Sequence, residues 1–303
     1  MQVIEQVGFV PNPGARMLVT QRTQVLGIVI IRPTPAIIFE DPHFFPEMLQ
    51  GIVQVAQDRD YATLLWLGYT SEDQTTLSER VLKNRLMDGL VITSTANIPL
   101  ISHLLETQIP FVMVERPTQF EEQISYVSVD NVQAARAAVE HLINVGRRRI
   151  GIISGPLDSS DGRDRLQGYK DALLMASIPL DPSLIVEGSF SRRSGYLGMK
   201  ALLKHEVDAV FASSDTMAIG ALDALKEHGR RVPEDVALVG FDDLPIARNA
   251  EPPLTTIRQP IQQKGWQATR LLVDLLEGTV EGPKQILLPT QLVIRQSCGA
   301  DAF

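Results

Sequence analysis

The sequence predicts an α/β protein built as two doubly wound parallel-sheet lobes, and three observations carry that prediction. From Val25 onward, short runs rich in Val and Ile alternate with longer segments of helical period, the pattern of parallel strands joined by crossover helices. The rhythm runs from about Val25 to Val129, pauses at the basic Arg147-Arg148-Arg149 and restarts for a block of similar size, which predicts two halves. The chain has 303 residues, 44% hydrophobic and 21% charged. That is enough for two cores, and it excludes collagen-like, coiled-coil and disordered architectures.

The strands predicted from apolar, β-branched runs are Val25–Ile31, Ala62–Leu67, Gly89–Ile92, Phe111–Val114, Tyr126–Val129, Ile150–Ser154, Asp208–Ala212 and Ala237–Gly240. Between them, apolar residues recur at three- and four-residue spacing in Pro46–Asp58, Ser71–Arg85, Asn131–Val145, Arg163–Ala176, Ser194–His205 and Thr216–His228, which predicts helices. After Asp242 the pattern changes. Pro252-Pro253 and Pro260 frame Thr255-Thr256-Ile257, an amphipathic helix follows from Ile261 to Leu276, and two short strands are expected at Ile286–Leu288 and Gln291–Ile294. Such a tail can cross back between the halves and complete both sheets.

The formal net charge of −8 gives no global basic footprint for nucleic acid or for an acidic membrane, so any DNA contact must be local. The single cysteine, Cys298, cannot form an internal disulfide and has no metal-ligand pattern around it, which fits a reducing cytoplasm. The start, Met1-Gln2-Val3-Ile4-Glu5, lacks the features of a signal peptide, and the strongest apolar run, Val25 to Ile31, is too short to span a bilayer. The expectation is a soluble, unexported protein.

In open α/β sheets, ligands bind outside the carboxyl ends of the strands. The residues that follow the predicted strands here include Asp41, Phe44 and Phe45; Glu115 and Arg116; Ser154, Arg163 and Arg165; Ser214 and Asp215; and Asp242 and Asp243. Aromatics, carboxylates and arginines in one cleft describe a site for a polar, hydroxyl-bearing small molecule. Each has a plainer reading. Phe44 and Phe45 read equally as core; Asp215 and Asp243 read first as caps of the following segments; Glu115 and Arg116 read equally as an internal ion pair; Arg147-Arg148-Arg149 reads as a solvated helix terminus. No phosphate-binding loop, nucleophile elbow, zinc-protease signature or dinucleotide fingerprint is present. The five histidines are scattered, and the adjacent Asp242 and Asp243 should point apart. The chain is therefore not expected to be an enzyme, nor to need a cofactor or metal.

Several segments fall in an ordered series: Val7 to Asn12, Thr23 to Ile30, Phe44 to Ile52, Asp88 to Val91, Pro110 to Pro117, Val127 to Asn131, Gly151 to Pro156, Arg165 to Tyr169, Ser214 to Leu222, Val232 to Asp242 and Thr255 to Pro260. Over nearly the whole chain this series resembles the effector-binding core of LacI/GalR-type bacterial transcription regulators, which have a type I periplasmic-binding-protein-like fold. The resemblance implies a first lobe of residues 24–129 with 260–287 and a second of residues 130–259 with 288–303. It implies that Phe45, beside Phe44, stacks on an effector, Arg165 makes the main polar fork, Phe190 closes the second wall, Asp242 accepts hydroxyls or amines, and Glu115 with Arg116 lines the first lobe. Ser214 stands where the family often has Asn, Ser159 replaces a charged residue of some relatives, and the aromatic segment between Pro42 and Glu47 is one residue longer than usual. A sugar remains the default effector.

Regulators of this type carry a helix-turn-helix headpiece, and the resemblance implies that most of it is missing here. Val3 to Phe9 resembles the headpiece's last helix, and Asn12 to Val19 the hinge helix. Asn12, Arg16 and Leu18 would then contact operator DNA, Leu18 as the wedge in a minor-groove step. Residues 1–23 are the implied remnant, and the first 24 residues carry a net charge of only +1, too little to bind DNA alone. In this chain, without a headpiece, Leu18 reads first as a frayed linker residue. The implied protein is a cytoplasmic, homodimeric transcriptional repressor, with a small-molecule effector and operator DNA as partners. A solute-binding protein of the same fold and a sugar-processing enzyme are the competing readings.

Overall fold

The structure is a computed structural model that describes residues 22–31, 43–68, 86–93 and 98–300. The predicted hinge residues Asn12, Arg16 and Leu18, Asp41, and the helix expected at Ser71–Arg85 lie outside the described residues.

Two six-stranded sheets form. In chain order the first contributes β1 (Val25–Ile31), α1 (Phe44–Asp58), β2 (Ala62–Gly68), β3 (Gly89–Thr93), α2 (Ile98–Thr107), β4 (Phe111–Val114) and β5 (Ser125–Val129). The second contributes α3 (Asn131–Asn144), β6 (Ile150–Ser154), α4 (Ser160–Met175), β7 (Ile185–Glu187), α5 (Arg192–Leu202), β8 (Ala209–Ala212), α6 (Asp215–Glu227), β9 (Ala237–Asp242), α7 (Pro245–Arg248) and β10 (Thr255–Arg258). The tail runs through α8 (Ile261–Glu277) to β11 (Gln285–Leu288) and β12 (Gln291–Val293). Strand order is β11-β5-β4-β3-β1-β2 in one sheet and β12-β10-β9-β8-β6-β7 in the other. All neighbours pair in parallel except β10 with β12. As the sequence predicts, the tail crosses back: β11 joins the first sheet beside β5 and β12 joins the second beside β10.

The central strands are buried on both faces, and they are the strands that read as unbroken apolar runs. Phe211, Phe241 and Tyr169 are fully buried in the second half, the Tyr169 hydroxyl donating to the Ile150 carbonyl at 2.8 Å. Each such side chain contributes roughly 1.5–3 kcal/mol through burial.

Departures from the expected boundaries have local causes. α4 starts at Ser160 because Ser159 caps it, and α6 at Asp215 because Ser214 does. α1 begins at Phe44, taking Pro46 into its first turn, where the missing N–H costs no hydrogen bond. α2 is not among the expected helices; its second residue is Pro99, a position in the first turn where a missing N–H costs no hydrogen bond. β7 is a three-residue edge strand, and β10 is Thr-rich rather than Val-rich, so neither presents an apolar run. Arg148 and Arg149 are exposed just after α3, as expected of a solvated helix terminus, Arg148 donating to the Ile143 carbonyl at 2.7 Å, whereas Arg147 is half-buried. The Arg147 guanidinium donates to the carbonyls of Pro233 at 2.7 Å and Asp208 at 3.3 Å, and the Asp208 carboxylate accepts the backbone N–H groups of Arg148 and Arg149.

Candidate functional site

The carboxyl ends of both sheets meet at one cleft. A cavity of about 420 Å³ opens between Glu47 on α1 and Asp242 and Asp243 at the end of β9, bordered by the crossovers at Gln259, Pro260, Pro289 and Thr290. Glycines let α1 and α8 pack closely beside it: a Cβ on Gly51 of α1 would lie 2.0 Å from the Gln262 carbonyl, and one on Gly265 of α8 would lie 2.3 Å from that of Met48. The backbone is unusual here too. Glu115, Phe190, Asp242 and Asp243 have φ of 87°, 60°, 122° and 63°, a costly region for side-chain-bearing residues that concentrates at functional sites.

Arg165 dominates the wall supplied by the second sheet. It is 3% exposed. Its Nε donates to Asn131 Oδ1 at 2.8 Å and its Nη1 to the Ser213 carbonyl at 2.6 Å, while its guanidinium carbon sits 3.7 Å from the Phe241 ring centroid and 5.8 Å from that of Phe190. A guanidinium held by two acceptors and stacked on an aromatic face is preorganised as a planar donor. Phe190 is half-buried and lies on Gly155, where a Cβ would meet the ring at 2.2 Å. Asn131, at the start of α3, also donates to Asp161 at 3.5 Å.

The opposite wall holds a chain of hydrogen bonds that runs from the first sheet to the second. Ser128 Oγ on β5 donates to Glu115 Oε2 at 2.8 Å. Lys264, in the first turn of α8, forms an ion pair with Glu115 and donates to Gln259 Oε1 at 2.8 Å. Gln259 Nε2 in turn donates to Asp242 Oδ1 at 2.5 Å. Lys264 is 1% exposed, and burial lowers its ammonium to about 7. Phe44 lies alongside, its ring centroid 5.9 Å from Lys264 Nζ.

The remaining predicted residues take other roles. Phe45 is 3% exposed within the apolar core and edge-on to Phe44, with ring centroids 5.3 Å apart, which leaves half-buried Phe44 as the ring nearer the charges. Glu115 and Arg116 do not pair with each other. Arg116 donates to Asp164 of α4 at 2.6 and 3.2 Å and to Glu121 at 3.0 Å, and its carbonyl accepts from Ser160. It therefore ties the first half to the second rather than presenting a fork to the cleft. Ser159 donates to the Pro156 carbonyl at 2.8 Å and accepts the Gly162 N–H at 3.1 Å, and Ser214 accepts the Met217 N–H at 3.2 Å. These hydroxyls are used as helix caps.

Two carboxylates that read first as caps are not caps. Asp215 accepts from Thr256 Oγ1 at 2.6 Å and from the Leu244 N–H at 2.8 Å, and burial together with the Asp242 charge holds it well above the usual carboxylate range. Asp243 is ringed by Arg258 at 2.6 Å, by Arg248 at 3.6 Å and by Arg295. Glu47 faces it from α1: burial raises the Glu47 carboxyl, His43 opposes that and Asp243 adds to it.

Sequence reasoning missed the roles of Lys264, Gln259 and Asn131. The signal for Lys264 was present. It sits on the stripe of Ile261, Ala268, Leu271 and Leu272, the only charged side chain among the buried residues of that helix, and a lysine on an apolar stripe needs a buried partner.

Comparison with known proteins places these features. Residues 139–298 match a family model described as a periplasmic binding protein-like domain. The chain is 39% identical over 300 residues to an HTH-type transcriptional regulator, CelR of Thermobifida fusca, covering 98% of this chain and 87% of that protein. A solved CelR–cellobiose complex superposes with a TM-score of 0.87 at 38% identity, over 98% of this chain and 88% of the other. A LacI-family regulator from Enterococcus faecium with bound ribose gives a TM-score of 0.77 at 26% identity, over 89% of this chain and 98% of the other.

Proposed function

This chain belongs to the LacI family of transcriptional regulators, and on that premise we propose that its interlobe cleft binds a saccharide effector and that closure around it is relayed to an operator-binding hinge. Its relatives are regulators rather than solute receptors, so the transport reading is set aside. The first lobe comprises residues 24–129 with 260–287, and the second residues 130–259 with 288–303. Asn12, Arg16 and Leu18 supply the hinge contacts to DNA when a full headpiece is present. The protein works in the cytoplasm as a homodimer, because a two-fold operator is gripped by paired hinges, and it turns over no substrate. No helix among the described residues is long and apolar enough to cross a membrane.

The observation that carries the effector reading is Arg165, buried, stacked on Phe241 and held by Asn131 and Ser213 just past the end of β8, the strand beside β9, whose last residue, Asp242, lines the cavity. A planar donor fork, a carboxylate acceptor and aromatic faces are the set that hydroxyl-rich rings require. Effector binding moves the lobes only if the two lobe arrangements bind it unequally, and a ligand that touches both walls satisfies that condition. The test is a thermal-shift screen with cellobiose, ribose, sugar phosphates and purines, repeated on Arg165→Ala and Asp242→Ala. A saccharide should raise the melting temperature of the wild type and neither variant should respond, through ligand linkage. A shift that survives in both variants would move the site elsewhere.

A further inference from the structure

We propose that Lys264 is a specificity-determining residue of this site, a buried cation that fixes the acceptors at the ends of β4 and β9 in one arrangement and restricts the effector to an uncharged, polyhydroxylated molecule. The inference rests on the effector reading above and deepens it.

The argument starts from donor and acceptor inventories. A lysine ammonium can only donate. Facing Gln259, it forces the amide to turn its oxygen toward α8, at 2.8 Å, and its NH2 toward β9, where it meets Asp242 at 2.5 Å. On the other side the same ammonium pairs with Glu115, whose second oxygen accepts from Ser128. One cation therefore orients a carboxylate on the first sheet directly and a carboxylate on the second through a single amide. Lys264 is a positioning residue for both, and it is placed to sense any ligand that touches either.

The charge balance then limits the ligand. Around the cleft, Glu115 and Asp242 stand against Lys264 and Arg165, two of each sign, all buried. Outside these four, Asp243 is shared by three arginines, of which Arg248 and Arg258 line the cavity with Glu47, and Arg116 is held by Asp164 and Glu121; the balance that follows is that of the four buried groups. A phosphate or an ammonium brought into this balanced, desolvated place leaves one buried charge uncompensated, which is expensive, whereas hydroxyls both donate to the carboxylates and accept from the guanidinium. Burial works against the charged ammonium, and Glu115 is its ion-pair partner.

Isothermal titration at about pH 6, where the ammonium is charged, tests the proposal with three disaccharide probes: cellobiose, the β-1,4-linked dimer of glucosamine, which is close to isosteric with it, and the larger cellobiose 6′-phosphate. The wild type should bind cellobiose at least about tenfold more tightly than either charged probe, the scale set by one hydrogen bond to a charged group. Lys264→Met should lose that preference over the glucosamine dimer, because Glu115 is left as an anion for the ammonium to pair with. The Lys264→Met, Glu115→Gln double variant removes one charge of each sign and leaves Asp242 balanced by Arg165, so it should regain the preference for cellobiose over the glucosamine dimer. Lys264→Arg should retain the wild-type order. A wild-type preference that persists unchanged in Lys264→Met, or that stays lost in the double variant, overturns the role of Lys264 and leaves the effector site standing. Absence of binding of all three probes to the wild type overturns the saccharide reading itself, and the proposal with it.

Discussion

Glu115 and Asp215 are both buried carboxylates at the strand ends that face the cleft, and the fold treats them in opposite ways. Glu115, after β4, is met by the ammonium of Lys264 and by Ser128. Asp215, opening α6, has no cation among its recorded partners; a threonine hydroxyl and a backbone N–H satisfy its oxygens, and it holds its proton well above the usual range. The first solution is ionic and reaches across to the other sheet through Gln259. The second is local, bracing the start of α7 and β10 against α6. The carboxylate on the first sheet is met by a cation and linked to the far wall, while the one that only holds loops together is met by neutral donors.

The largest effect expected from this contrast is at the ionic pair. Lys264→Ala leaves a buried, unpaired Glu115 and should lower the unfolding free energy by about 3–5 kcal/mol. The Glu115→Gln, Lys264→Met double variant should recover most of that loss in urea denaturation, and a double variant as unstable as the single one would break the pairing. Next comes Asp215→Asn, which removes the charge, keeps an oxygen to accept from the Leu244 N–H and turns an NH2 to a Thr256 hydroxyl that rotates from donor to acceptor. It should cost no more than about 1 kcal/mol, and a loss as large as that of Lys264→Ala would erase the contrast.

The two groups also give opposite pH signatures. The folded proton affinity of Asp215 is raised above that of an unfolded aspartate at about 3.9, so the folded state binds more protons and stability from this group is lost as pH climbs from about 4. Asp242, Asp243 and Thr256 are the groups that face it, and Asp215→Asn should flatten that slope in melting curves. Lys264 is lowered from about 10.4 in the unfolded chain to about 7, so between those values the unfolded state binds more protons and stability from this group rises with pH. Glu115, Gln259 and Phe44 face it; the difference in unfolding free energy between wild type and Lys264→Met should grow across that window. The smallest effect belongs to a cap: Ser159→Ala should cost about 1 kcal/mol, read by denaturation, through loss of the bond that the Gly162 N–H donates to it.

The fold was largely legible because parallel strands buried on both faces must be written as apolar runs, and β1, β4 and β6 appear with the predicted bounds. What escaped was held together by long-range contacts rather than by local pattern. Thr255–Arg258 became a strand because β9 and β12 flank it, and Ile98–Thr107 a helix despite its early proline. The site divides in the same way. Arg165, Glu115 and Asp242 were legible because they follow strands in a sheet whose geometry puts ligands there. The partners of Glu115 and Arg116 were not. Lys264 lies 149 residues from Glu115, and Asp164 lies 48 from Arg116; adjacency in sequence pointed instead to a pair that the left-handed backbone at Glu115 separates.

The central claim is that one effector touches both halves of the molecule, and the direct measurement is titration calorimetry of cellobiose into wild type, Arg165→Ala and Glu115→Gln, one change on each side of the cleft. Loss of about tenfold or more in affinity in both variants, with each still melting cooperatively, is the predicted result. Undiminished binding in either variant would place the ligand on one half alone and contradict the account.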